Sequence, residues 1–435
     1  MRLSKLLIEG ATVVTMDEEM HIWDPGDIIC EDESLIYVGP AQQRLAWTPD
    51  RVIHATGKIA LPGFVNTHTH AAMTLLRSYA DDLALKPWLE DKIWPLEARL
   101  TPEAVYWGTL LACLEMLQAG VTTFADMYFF SEETARAVAE SGLRADLAPG
   151  LIGTAPEKEQ NLATAVKFVQ GFAGTAAGRI TTRLGPHAPY TCPRPFLQDV
   201  FAAARDSGCG IHIHLAETKE EVSELKAQVG LSPVELVHDI LEEVGPVPVL
   251  AAHCVHLSQG DIQLLAQDNI GVAHNPGSNL KLASGVAPLA ALLAAGVTVG
   301  LGTDGAASNN NLDVLEEARL AALLPKVSLA DPTVVPAAAA LHLATLGGAR
   351  ALGLAEAIGS LEEKKQADLV LLDANRPHMV PHHDVVSRLV YSARAADVDT
   401  VLVAGQVLWE HGQPTRLDQE RILFEAQKQA EKLVK

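Results

Sequence analysis

The sequence predicts an α/β protein: a (β/α)8 TIM barrel carrying a discontinuous β-sandwich domain formed by the N- and C-terminal segments. Three observations carry that expectation. Eight short apolar runs alternate with helical segments, at 61–68, 121–127, 145–151, 180–187, 210–215, 247–253, 270–274 and 297–304, and such alternation builds parallel barrels. No G-x-G-x-x-G or G-x-x-x-x-G-K-[ST] run opens any helix, so the usual sign of a doubly wound nucleotide-binding sheet is missing. Both ends are β-rich and each is too small to bury a core alone. The expected division is sandwich at 1–58, barrel at 59–364, and sandwich plus C-terminal helix at 365–435.

In the first segment, Thr12–Met16 and Ser34–Gly39 are β-branched or aromatic runs, with Asp24-Pro25-Gly26 read as a turn between them. Pro62-Gly63 marks a turn feeding the first barrel strand. Thr101 is a candidate N-cap, Pro102 takes the first helical position, and Gly120 stops that helix. A second helix is expected over Ser131–Gly142. Near the other end, Ala367–Asp373 and Val398–Leu408 read as strands, the latter a hairpin around Ala404-Gly405. The residues from Asp418 on form a charged helix expected at the periphery.

The 435 residues carry a net charge of −21, which argues against a nucleic-acid partner, since such proteins need a basic footprint. No apolar run reaches the ~18 residues of a membrane span. Five cysteines (Cys30, Cys113, Cys192, Cys209 and Cys254) are scattered without CxxC spacing. Reduced thiols and a cytoplasmic location are expected.

Barrel active sites lie at the C-terminal ends of the strands. The first candidate strand ends in His68-Thr69-His70, whose two histidines share a strand face. The fourth ends in Gly185-Pro186-His187, the fifth runs through His212, His214 and Glu217, the sixth ends in His253, the seventh in His274, and the eighth in Asp304-Gly305. Each alone has a plainer reading, as a packed histidine or a turn aspartate. Together, six of eight strands bring titratable side chains to one end. His214 lies nearer the mouth than His212, which is expected one layer below. His68, His70, His214 and Asp304 fit one divalent metal, Zn²⁺ or alternatively Fe²⁺, with a position left for water. Glu217 and His253 are then the candidate proton shuttles. The fourth strand offers no lysine to bridge a second metal.

The runs PGFVNTHTH (62–70), GPHAPYT (185–191), HIHLAET (212–218), AHCVHL (252–257) and GLGTDGAASNNNLD (300–313) resemble the amidohydrolase superfamily. More narrowly, the chain resembles the 5-methylthioadenosine/S-adenosylhomocysteine deaminases. That resemblance implies deamination of an adenosine-type nucleoside, with His68, His70, His214 and Asp304 as metal ligands. It implies that Glu217 protonates the purine N1, that His253 assists deprotonation of the water, and that Asp304 carries the proton to the leaving amine. By the same resemblance Glu97 binds the ribose hydroxyls and His187 contacts substrate. Trp88, in the same segment as Glu97, is placed to stack on the nucleoside or to cover the barrel mouth. His256 and His274 are expected to pack or to orient neighbours; Asn279 and Lys281 are unassigned. A small-molecule substrate and a homo-oligomeric assembly are expected.

Some members of that family pair the homocysteine carboxylate with arginines before the fourth strand. Gly150–Pro156 offers none, and the nearest are Arg144, Arg179 and Arg183. Methylthioadenosine, 5′-deoxyadenosine or adenosine fit the sequence at least as well as S-adenosylhomocysteine. The alternatives are a related hydrolase acting on guanine, pterin or s-triazine rings, and, remotely, a non-catalytic barrel.

Overall fold

The computed structural model describes residues 5–44 and 47–435. Eight parallel strands run in chain order around a nearly closed barrel: Phe64–Thr69, Val121–Tyr128, Arg144–Leu151, Ile180–Pro186, Gly210–Leu215, Val249–His253, Gly271–His274 and Val299–Leu301. The seam between first and last is closed by few bonds. The Asp304 N–H donates to His68 O at 2.9 Å. The Asn66 side chain accepts from Thr303 N–H at 3.0 Å and donates to Thr303 Oγ1 at 2.8 Å.

The two β-rich ends meet as expected, and they build one continuous nine-stranded mixed sheet. Its central junction is the antiparallel pairing of Lys58–Pro62 with Leu369–Asp373. Alternate residues of these strands feed two cores. Ala60, Leu369 and Leu371 pack with Ile8, Ile28 and Leu35 inside the sheet domain. Ile59, Leu61, Val370 and Leu372 pack against the barrel. The run expected as a single strand at 61–68 is therefore split at Gly63. Leu61-Pro62 ends a sheet strand and Phe64 opens the barrel. A Cβ on Gly63 would lie 2.1 Å from the Thr122 side chain, so only glycine passes here.

The caps predicted for the long helix hold: it spans Pro102–Gln118, with Thr101 Oγ1 accepting from Ala104 N–H at 3.2 Å. The next helix spans Ser131–Ser141 and stops at Gly142 in the left-handed region. The Val398–Val403 and Gln406–Glu410 hairpin turns through Ala404 and Gly405, both at positive φ, as a two-residue turn of the favoured hand requires.

Two expectations are corrected. Asp24-Pro25-Gly26 is no turn but part of the strand Ile22–Glu31, at a register irregularity opposite Ala11–Val13. A bulge there accommodates a proline that cannot donate to a regular ladder. The C-terminal helix, Gln419–Val434, is not peripheral. Ile422, Ala426 and Leu433 are buried, and Ala426 and Leu433 pack with Trp88, Leu89, Ile93 and Leu96. No helix among the described residues is long and apolar enough to cross a membrane.

Barrel and sheet are pinned by a buried ion pair. Arg144 Nε donates to Asp368 Oδ2 at 3.0 Å, and Asp368 Oδ1 also accepts from Ala404 N–H at 2.7 Å. Arg144→Met strands the Asp368 carboxylate. We expect a loss of roughly 3–5 kcal/mol in chemical denaturation; a loss below about 1 kcal/mol would show that the pair does not join the two parts.

Candidate active site

The first barrel strand delivers His68 from its last turn of sheet and His70 one residue beyond its end. His214 comes from the fifth strand and Asp304 from the segment after the eighth. The ligand atoms of His68, His70 and His214 lie within 4.8 Å of one another, as do those of His68, His253 and Asp304. Asp304 Oδ1 is 3.4 Å from His68 Nε2 and 3.3 Å from His70 Nε2.

The hydrogen bonds on the far side of each ring assign its tautomer. His70 Nδ1–H donates to Met127 O at 2.6 Å, and His214 Nδ1–H donates to His187 O at 2.7 Å. With Nδ1–H on each ring so engaged, each turns its Nε2 inward, and those two nitrogens are 3.3 Å apart. His68 Nδ1 is 2.8 Å from His212 Nε2, and His68 Nε2 is buried with no hydrogen-bond partner. Burial pushes the His68 ring down to about 4 and His214 well below the usual imidazole range, so both rings are neutral at neutral pH. Converging, desolvated lone pairs repel unless a cation lies between them. Three imidazoles and one carboxylate match the donor set of a divalent transition metal.

Short polar side chains brace this cluster. Ser278 and Ser308 hydroxyls donate to Asp304 Oδ2 at 2.6 and 2.8 Å, leaving Oδ1 toward the histidines. Despite its burial, Asp304 is held well below the usual carboxylate range by His68 and the neighbouring rings. His253 Nδ1 is 2.8 Å from Asn279 Oδ1, which fixes Nδ1 as the donor and Nε2 as the free nitrogen. That Nε2 lies 3.8 Å from Glu217 Oε2. Burial disfavours the charged His253 ring, but Glu217 and Asp304 outweigh it and raise its pKa. Burial raises Glu217, against the pull of His253. Ala216, His253 and Asp304 all sit at positive φ, where non-glycine residues are strained. The Glu221 carboxylate offsets part of this by accepting from the N–H groups of Ala216 and Glu217, at 3.0 and 2.8 Å.

One cavity gathers the expected residues. His70, His187, His214, Glu217, His253 and Asp304 line it near the cluster. Glu97 and Trp88 line it further out, Glu97 on the short helix Trp94–Glu97 and Trp88 largely buried in the wall. Burial raises the Glu97 carboxyl, opposed by the neighbouring Tyr128 hydroxyl and by His70. His212 lies beneath the mouth as expected, bonded to His68. His256 Nε2–H donates to Ser284 O at 2.6 Å, and Lys281 pairs with Asp81 at 2.5 Å. His274 is buried with Nδ1 unpartnered. Sequence reasoning missed Ser278, Ser308, Glu221 and Tyr128, and left Asn279 without its part beside His253. A position three residues after His274-Asn275 or four after Asp304 carries no pattern of its own; only the fold brings it to a carboxylate.

The profile of the amidohydrolase family matches residues 59–408. A protein of Pelotomaculum thermopropionicum named 5-methylthioadenosine/S-adenosylhomocysteine deaminase is 52% identical over 433 residues, covering 99% of each chain. A 5′-deoxyadenosine deaminase of Methanosarcina mazei is 49% identical over 434 residues, also covering 99% of each. Among solved structures, a zinc-bound adenosine deaminase of Xanthomonas campestris is similar with a TM-score of 0.94 and 36% identity, covering 99% of this chain and 98% of that one. A zinc complex of atrazine chlorohydrolase from Arthrobacter aurescens gives a TM-score of 0.88 and 26% identity, covering 98% of this chain and 100% of that one.

The brace on Asp304 has a measurable consequence. The double variant S278A/S308A should retain metal roughly 10–100-fold less tightly, read by metal analysis after dialysis against graded chelator. Unchanged retention would show that these hydroxyls do not orient a ligand.

Proposed function

Because the chain belongs to the amidohydrolase family, and within it to the 5-methylthioadenosine/S-adenosylhomocysteine deaminase group, we propose that it deaminates adenosine-type nucleosides to the inosine analogue and ammonia. The observation that carries this reading is the convergence of Glu217, His253 and Asp304 beside the three-histidine cluster in one cavity. His68, His70, His214 and Asp304 would hold the metal, Zn²⁺ in our reading with Fe²⁺ as the alternative. Bound there, it supplies an acidified water at neutral pH.

The protein's own groups then move the protons. His253 Nε2 takes a proton from the water as its oxygen adds to C6 of the adenine ring. Glu217, whose carboxyl burial favours in the protonated form, donates to N1. That proton then passes from His253 by way of Asp304 to the exocyclic amine, the C6–N bond breaks, and ammonia leaves. Glu217 recovers its proton as the C6 hydroxyl becomes a carbonyl, so one water enters and one ammonia departs. Glu97 accepts hydrogen bonds from the two ribose hydroxyls, and His187 faces the base. Trp88 closes the wall beside the nucleoside. The barrel, from Phe64 on, carries this chemistry, and the sheet built from the two chain ends, including Lys58–Pro62, buttresses it. Five free cysteines, four of them buried, fit a reducing cytoplasm.

Loss of the adenine ultraviolet band across a panel of 5′-substituted adenosines tests the activity directly. Metal-loaded protein that leaves the band unchanged for all of them would sink the reading. Glu217→Gln should keep the metal and lose at least roughly 100-fold in kcat, the scale of a general acid. Glu97→Gln should weaken nucleosides far more than free adenine; equal loss for both would mean that Glu97 does not read ribose.

A further inference from the structure

The cavity reaches well beyond the metal cluster. It encloses about 990 Å³, at the top of the roughly 300–1,000 Å³ typical of small-molecule sites. Its distal lobe is formed by the segments following the second and third barrel strands and by the helix Lys158–Phe172. Phe129, Phe130, Leu151, Ile152 and Phe168 give that lobe apolar walls, with the neutral polar Ser131, Thr154, Asn161 and Thr164 among them. Its charged side chains are Glu132 and Glu157, both exposed at the rim.

Among the described residues no lysine or arginine lines the cavity. The basic side chains nearest in sequence are turned to other partners: Arg136 pairs with Glu133, and Lys158 lies by Glu159 and the Phe196 ring. Three further arginines are committed at the opposite end of the barrel. Arg144 pairs with Asp368, Arg179 donates to Leu143 O, and Arg183 pairs with Asp146. Two helices begin near the lobe, and helix N-termini favour anions. Those ends are already matched, by Glu132 and Glu133 in one first turn and Glu159 in the other. A carboxylate entering the lobe would lose hydration, find no cation, and face two like charges.

We infer that the distal lobe is a charge-selecting subsite for the 5′-substituent of the nucleoside. It admits apolar chains that end neutral or in an ammonium group and rejects chains that end in a carboxylate. The inference rests on the deaminase reading, in which Glu97 holds the ribose and directs its 5′ carbon into this lobe.

The test compares kcat/KM on the metal-loaded full chain for 5′-methylthioadenosine and two analogues with the same three-carbon thioether chain, one ending in an amine and one in a carboxylate. The amine should fall within about threefold of 5′-methylthioadenosine and the carboxylate roughly 30-fold or more below it, the range a pocket's fit commonly commands. The double variant E132K/E157K, altered only at the rim, should narrow the gap between the analogues by roughly tenfold. Equal use of both analogues by the unaltered protein overturns the charge selection while leaving the deaminase intact. A gap unchanged in the double variant overturns the lobe's rim as its source. No turnover of any of the three overturns both the inference and the reading beneath it.

Discussion

The site depends on one electrostatic constraint: imidazole lone pairs and a carboxylate oxygen are turned toward a single desolvated point. Nothing in a neutral protein favours that arrangement, so every other contact of those groups is spent on enforcing it. Two carbonyls and a second histidine hold the outer nitrogens of the rings. Two serine hydroxyls occupy the outer oxygen of Asp304. The strained backbone at His253 and Asp304 falls where the sixth and eighth strands leave the barrel wall, and a sheet-like φ there would aim these side chains elsewhere.

The barrel makes that enforcement achievable because it brings distant segments into fixed register. His68 and His212 are 144 residues apart in sequence and 2.8 Å apart in space. Residues at strand ends are held by the ladder on one side and packed layers below, which suits groups whose placement matters to fractions of an ångström. The distal lobe is built from connecting segments and a helix instead. The fold thus separates groups that must not move from groups that can vary without disturbing them.

Much of this was legible in the sequence. His68, His70, His214 and Asp304 could be read because strand periodicity and strand ends are local patterns. Glu97 and His187 needed the family likeness; their neighbours in sequence are unremarkable. Ser278, Ser308 and Glu221 stayed hidden because their partners come from other strand ends or depend on loop geometry. The C-terminal helix was misplaced for a different reason. Its many charges suggested solvent on all sides, yet Ile422, Ala426 and Leu433 recur at helical spacing and mark the buried stripe. Asp24-Pro25-Gly26 has the composition of a turn, and only the pairing of Ile22–Glu31 with Leu6–Val14 shows a bulged strand.

The packing of that last helix bears on the order in which the molecule can be completed. Arg99 donates to Lys432 O across 333 residues of chain, and Ala426 and Leu433 seal the cluster around Trp88. Domains form largely in the order of synthesis. Strand ends bearing all the histidines of the cluster emerge from the ribosome long before the helix that backs the cavity wall. The cluster around Trp88 therefore lacks Ala426 and Leu433 until Gln419–Val434 has been made.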